Sequence, residues 1–380
     1  MKRVVLLVDA AADLPTPELK DGTPLMQARQ PSARRLAEEG SCGALRRIRP
    51  DADASRALLA ECCGLSDPQA RSIHWGPMAA ASLNLPLDGE RSYFLAGFVS
   101  LDAEEQQDQV QPSSMEEQAQ LLTDLQRELG IRFHSLYLGR FLMEIPGQVI
   151  SKLPSKVQYQ RSGFLKPLPP ILRNILDKTE IFLESHPVNQ VRVDLGEPPI
   201  HGLWCWSGGT QGVERERPPF RQAMVSPEPI SKGMAQLWGM SYLEMENPYG
   251  LDRPDAAFDV SEMIQLIENH DEVIIWLPAS SEGGRFEGSS EKVRRLDAVD
   301  YYVTGPVKAI LEEMTPSRLL LIAAGVRHHG RPERGAAPFV LWGDGVLADD
   351  CRAWTEIDSL QGSLGTPRLL QLLEIFRKEI

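Results

Sequence analysis

The sequence predicts an α/β protein: a mostly parallel sheet with helices on both faces, plus an inserted smaller α+β, cap-like domain. Three observations carry that expectation. Apolar runs without alternation, such as Arg3 to Val8 and Glu272 to Leu277, are what a sheet buried on both faces requires. These runs alternate with stretches of helical period, which calls for parallel strands joined by crossover helices. Between residues 102 and 185 the rhythm breaks, and a domain-sized insertion accounts for the change. The expected division is 1–101 with 186–380 as the core domain and 102–185 as the inserted domain.

Taken in order, Arg3 to Val8 reads as a buried strand, followed by a loop marked by Pro15 and Pro17. A helix is expected from Pro31 to Glu39 with Gly40 as its stop, and another from Arg56 to Cys63 closed by Gly64. Tyr93 to Leu101 reads as a strand. The insertion begins with a polar, Gln-rich stretch to Met115, then an amphipathic helix to Leu129 and one or two strands between Ile131 and Ile145. A punctuated connection reaches Pro170, and Ile171 to Ser185 is again of helical period. The α/β rhythm resumes with a strand at Leu203 to Trp206, helices at Ile230 to Met240 and Asp259 to Asn269, and the strand Glu272 to Leu277. A helix from Ser290 to Glu313, interrupted at Gly305-Pro306, leads to strands at Arg318 to Ala323 and Phe339 to Trp342. Leu369 to Lys378 forms the last helix.

Of 380 residues, 40 are Lys or Arg and 53 are Asp or Glu, a formal net charge of −13. That acidic balance speaks against nucleic acid or an anionic membrane as partner, since both require a positive footprint. Val4 to Val8 is too short for a signal segment and runs into Asp9, and no run reaches the roughly 20 apolar residues of a membrane span. Five cysteines (Cys42, Cys62, Cys63, Cys205 and Cys351) show no C-x-x-C spacing. They read as free thiols of a cytoplasmic protein.

In a parallel α/β sheet, ligands meet the carboxyl ends of the strands. After the first strand come Asp9 and Asp13, each a metal ligand or a plain turn residue on position alone. Ser55 stands where a helix begins, as an N-cap or as a group at an anion-favouring terminus. After the strand ending at Ala323 come His328 and His329, flanked by Arg327, Arg331 and Arg334. That positive field favours two solvated loop histidines over a metal pair. Asp344, between two glycines, reads as a turn. No dinucleotide fingerprint, P-loop, zincin motif or nucleophile elbow is present.

Several segments, in order, resemble the archaeal-type cofactor-independent phosphoglycerate mutases of the alkaline-phosphatase-like superfamily. They are Val4 to Ala28, Ser185 to Gly209, Ile230 to Met240 and Gly362 to Gly365 with the helix that follows. His186-Pro187-Val188-Asn189, Arg192, Gly196, Pro198, Trp204 and Trp206 are the most specific. The resemblance implies the alkaline-phosphatase-like fold and a chemistry in which two divalent cations activate a phosphoryl-accepting serine. Carried over by position, Asp9 matches the first metal-binding aspartate, although the usual G-D-G reads Val8-Asp9-Ala10, and Ser55 matches the nucleophile.

The other expected ligands are replaced. Ser281 and Arg285 stand where an Asp and a His belong, Val326 and Arg327 replace an Asp-His pair, and Pro332 replaces the last His. Arg56 takes the place of the Asp after the serine, and Leu59 that of a helix His. Leu95-Ala96-Gly97 stands for Arg-x-Asn in the substrate region, and Gly147-Gln148 for a His and an Asp. A unit positive charge about 4 Å from a dication costs several kcal/mol even at an effective dielectric of about 20, so the new arginines oppose a metal pair.

Two alternatives stay open. One is a pseudoenzyme that needs no cofactor and has a binding or regulatory role. Arg56, Arg285 and Arg327 would then meet a phosphorylated or carboxylated metabolite, or a protein partner would be bound instead. The other is an active mutase or phosphatase acting through Ser55, with a divalent metal (Mn, Co, Zn or Mg) at a reduced site of Asp9, Ser55 and His328 or His329. Trp75, Trp238 and Trp354 read as buried packing or as an interface.

Overall fold

The computed structural model describes residues 1–46, 54–101, 107–109, 112–137, 139–150, 168–245, 257–278, 288–328, 331–332, 335 and 337–379. Its strands, in chain order, are β1 (Lys2–Val8), β2 (Ser41–Leu45), β3 (Arg91–Leu101), β4 (Gln107–Gln109), β5 (Arg132–Tyr137), β6 (Arg140–Pro146) and β7 (Gly202–Gly209). There follow β8 (Gln222–Ser226), β9 (Ser241–Glu244), β10 (Glu272–Leu277), β11 (Ser317–Ala323), β12 (Arg327–His328), β13 (Arg331–Pro332) and β14 (Ala337–Gly343).

β1 is central because its residues Arg3 to Val8 are all buried, and only a strand flanked on both edges and covered on both faces satisfies that pattern. The sheet order is β2-β14-β11-β1-β10-β8-β9, with β14 the one antiparallel member. Val8 lies opposite both Leu277 and Ala323, so β1, β10 and β11 end at one level. Hydrogen bonds from Asp9 N to Leu277 O and from Ala324 N to Val8 O, both 2.9 Å, carry the pairing one residue further. Leu6, Ile275, Leu321 and Val340 join Leu36 of the helix Pro31–Glu39 and Leu311 of Gly305–Glu312 in the core. The helix beginning at Gly288 runs to Val299 and continues through a π turn, Asp300–Thr304, into Gly305–Glu312, so Gly305-Pro306 does not break it.

The chain divides into two compact units: Ile73–Val213, and the described residues on either side of that segment. The unit Ile73–Val213 is built on an antiparallel sheet, β4-β3-β6-β5, with β7 also paired to β3. Phe94, Phe98 and Phe141 of this sheet pack with Leu121 and Leu125 of the helix Met115–Leu129 and Leu172 and Leu176 of Pro170–Glu184. The division differs from the expected 102–185 because β3 and β7 pair with each other, Ala96 opposite Cys205 and Gly97 opposite Trp204. β7 is therefore not a strand of the parallel sheet, although its short apolar run reads like one.

Trp75, Trp238 and Trp354 are buried at 2%, 3% and 2% exposure, so they pack inside the fold and mark no interface. All five cysteines are buried free thiols. Among the described residues no helix is long and apolar enough to cross a membrane.

One buried acid in the helix Ala54–Cys62 makes stability depend on pH. Burial, aided by the Asp67 carboxylate and opposed by Arg71, pushes Glu61 up to about 7. The folded chain thus holds this proton more tightly than the unfolded chain does, whose Glu titrates near 4.5. The stabilising contribution is present at low pH and is lost as pH rises through about 7. Glu61→Gln should raise stability at pH 8 by roughly 2–3 kcal/mol and leave it unchanged at pH 4. Urea midpoints at the two pH values check this, and equal shifts at both would refute it.

Candidate functional site at the strand ends

The level carboxyl ends of β1, β10 and β11 place Asp9, Asp13 and the start of the helix Ala54–Cys62 in one neighbourhood. Ser55 is buried in the first turn of that helix, and its hydroxyl donates to Asp9 Oδ1. The two residues matched to a nucleophile and a metal-binding aspartate are thus in contact. The neighbouring Ala10 has φ 52°, a left-handed conformation that a glycine adopts without strain and an alanine does not.

Beside them stand groups that the sequence did not single out. Lys292, on the helix Gly288–Val299, is 5% exposed; its Nζ donates to Asp13 Oδ2 at 2.8 Å and to Ala12 O at 2.9 Å. Burial holds its ammonium below the ordinary lysine range, opposed by the charges of Asp13, Glu356 and Asp9. Glu356 accepts the backbone N–H of Asp13 at 2.9 Å on one oxygen and the Thr23 hydroxyl at 2.7 Å on the other. Burial raises its pKa, against those two donors and Lys292.

Arg56, expected to meet an anion, pairs with a carboxylate of its own chain. Its Nη2 meets Glu228 Oε1 at 2.8 Å in an ion pair whose side chains are 7% and 3% exposed. Glu228 also accepts from Trp276 Nε1 at 3.0 Å and from the Ser231 hydroxyl at 3.4 Å. Arg285 and Ser281 lie outside the described residues, as does His329. Of Arg327 and His328, as of Pro332, only the backbone is described, in the short β12–β13 ladder.

The donor set can be weighed against a pair of divalent cations. Asp13 and Glu228 are each held by a cation of the chain, and both Glu356 oxygens are taken by an amide and a hydroxyl. Among the described residues, three His, Cys, Asp or Glu side chains converge within 4.8 Å at one place, Cys42, Asp349 and Cys351, away from these strand ends. The strand-end oxygens would have to exchange partners to hold a dication, and the side chains at positions 281, 285, 327 and 332 lie outside the described residues.

No protein-family model matches the chain. Curated relatives do. A 2,3-bisphosphoglycerate-independent phosphoglycerate mutase 2 of Methanothermobacter thermautotrophicus is 26% identical, over 99% of this chain and 97% of its own length. A mutase of the same description from Methanothrix thermoacetophila is also 26% identical, over 96% of each chain. The chain is a homologue of these mutases. Solved structures agree on the fold. A Pyrococcus horikoshii protein superposes with TM-score 0.67 at 19% identity over 100% of this chain and 98% of its own. A cofactor-independent phosphoglycerate mutase from Thermoplasma acidophilum gives 0.56 at 19% identity, over 99% and 98%. The α/β architecture of this mutase homologue is therefore the alkaline-phosphatase-like one. Lys292, Glu228 and Glu356 are what a reading by family motif leaves unseen, because none of them stands at a motif position. Glu228 stands two residues past the end of β8, a strand that the sequence does not announce.

Proposed function

We propose that this mutase homologue is a pseudoenzyme that uses the old fold for a binding or regulatory role and carries no phosphoryl transfer. The observation that supports the proposal most is the buried Lys292 ammonium between Asp13 and the Ala12 carbonyl, within the field of Asp9 and Glu356. The ammonium's bonds take up an Asp13 oxygen and the Ala12 carbonyl, oxygens that a dication at these strand ends would need. A resident cation takes the charge that a metal would otherwise supply. An anionic metabolite would be met by Arg56, Arg285 and Arg327. A protein partner is the other occupant of this role.

The contact of Ser55 with Asp9 favours the second reading, an active metal-dependent transferase, and makes it testable. Purified protein is expected to show no exchange of 2- and 3-phosphoglycerate and no phosphatase activity with manganese, cobalt, zinc or magnesium. Turnover that Ser55→Ala abolishes would overturn the proposal. Stabilisation in a thermal-shift screen of phosphorylated and carboxylated metabolites would identify the ligand class.

A further inference from the structure

Three donors converge away from the strand ends. Cys42 Sγ, Cys351 Sγ and a carboxylate oxygen of Asp349 lie within 4.8 Å of one another. Cys42 sits in β2 at the edge of the sheet, three strands and thus about 14 Å from β1. Asp349 and Cys351 belong to the loop that leaves β14. The thiols are buried at 0% and 3% exposure, while Asp349 is half-buried.

We propose that Cys42, Cys351 and Asp349 form a binding site for one thiophilic divalent cation of the zinc or cadmium class. The site owes nothing to the chemistry at Asp9. Each cysteine is already fixed relative to the carboxylate. Asp349 Oδ2 accepts the Cys42 N–H at 2.8 Å, and Oδ1 accepts the Cys351 N–H at 2.9 Å. Ser363 adds its N–H at 2.8 Å and its hydroxyl at 3.0 Å to Oδ2, which leaves Oδ1 with the lighter load and a lone pair to offer. Such preset donors orient metal ligands in known sites.

The turn carrying Ser363 is pressed onto β2, since Leu364 N donates to Cys42 O at 3.1 Å and Ala44 N to Gly365 O at 2.9 Å. Gly362 permits this approach: a Cβ there would lie 2.2 Å from Cys42 O. The field is anionic. The carboxylates of Asp349 and Asp358 both act on both thiols, and a bound cation would offset them.

The required adjustment is small. Bonds of about 2.0–2.3 Å in a tetrahedron place donors about 3.5–3.8 Å apart, so the cluster closes by little more than an ångström. Binding removes one proton from each thiol, so two protons leave for each dication bound. Three protein donors leave the fourth position to water.

The test is titration of the full-length, reduced protein with cadmium under anaerobic conditions. The expected result is one equivalent bound, with thiolate-to-cadmium charge-transfer absorbance, two protons released to a weakly buffered indicator, and a raised thermal midpoint. Cys351→Ser, in the loop, and Cys42→Ser, in the strand, should each weaken binding at least tenfold. The double variant Cys62→Ser/Cys63→Ser should retain the signal, provided circular dichroism shows it folded; if it does not fold, the Cys351→Ser result and the proton count decide. No stoichiometric absorbance, a signal that survives Cys351→Ser, or a Cys42–Cys351 disulfide in place of metal binding would each overturn the assignment.

Discussion

Replacing Lys292 with methionine should lower the stability of this protein by about 3–5 kcal/mol, the usual consequence of stripping a buried ion pair of one partner. Methionine keeps the apolar stem and removes only the ammonium. Asp13 would then stay buried without that ammonium, and the Ala12 carbonyl would lose this donor. The double variant Lys292→Met/Asp13→Leu should recover most of that loss, because taking out both members of a buried pair is far milder than taking out one. Lys232→Met supplies the comparison: that lysine is 41% exposed and faces Glu244 at 3.6 Å, and its loss should fall within about 0.5 kcal/mol. Urea unfolding of the four proteins decides the matter. A Lys292→Met midpoint no lower than that of Lys232→Met would mean that the ammonium is not the internal counter-ion it is taken to be, and the proposed inactivity would lose its main support.

That lysine also shows where the sequence stopped being legible. Asp9 and Ser55 were visible because strand ends and helix starts are readable from apolar runs and their stops, and the structure puts the two in contact. Lys292 was not. In Glu291-Lys292-Val293-Arg294-Arg295 it looks like one more charge on a solvated helix face, and whether such a side chain turns inward is set by neighbours far away in the chain. Its partner Asp13 is 279 residues distant. Glu228 was hidden for a different reason. β8 reads Gln-Ala-Met-Val-Ser, with a single β-branched residue and no clear alternation, so the strand itself went unseen and with it the fact that Glu228 follows its carboxyl end. β7 was seen as a strand but assigned to the wrong sheet, since a short apolar run carries no record of the partner it pairs with. The helices were the easy part: Pro31–Glu39 and Met115–Leu129 were expected with the limits they have, because a Pro or Ser start and a Gly stop are local signals.

Arg56 invites the opposite experiment, a reversal toward the residue its relatives' pattern implies. Arg56→Met should lower stability by about 3–5 kcal/mol, since Glu228 would stay buried without the guanidinium that now pairs with it. Arg56→Asp should lower it further, because the new carboxylate would face Glu228 where the guanidinium now stands. Two buried like charges repel. Adding Glu228→Gln to Arg56→Asp should return a large part of the loss, by removing the repulsion while keeping an acceptor for the indole N–H. Equilibrium unfolding of the three variants at pH 7 measures these differences. A well-folded Arg56→Asp single variant would show that the position tolerates an acid. If that variant also gained manganese-dependent turnover through Ser55, the proposed inactivity would rest on one substitution. The buried pair argues the reverse: Arg56 and the carboxylate that neutralises it share one pocket, and undoing one without the other leaves a charge that the fold cannot solvate.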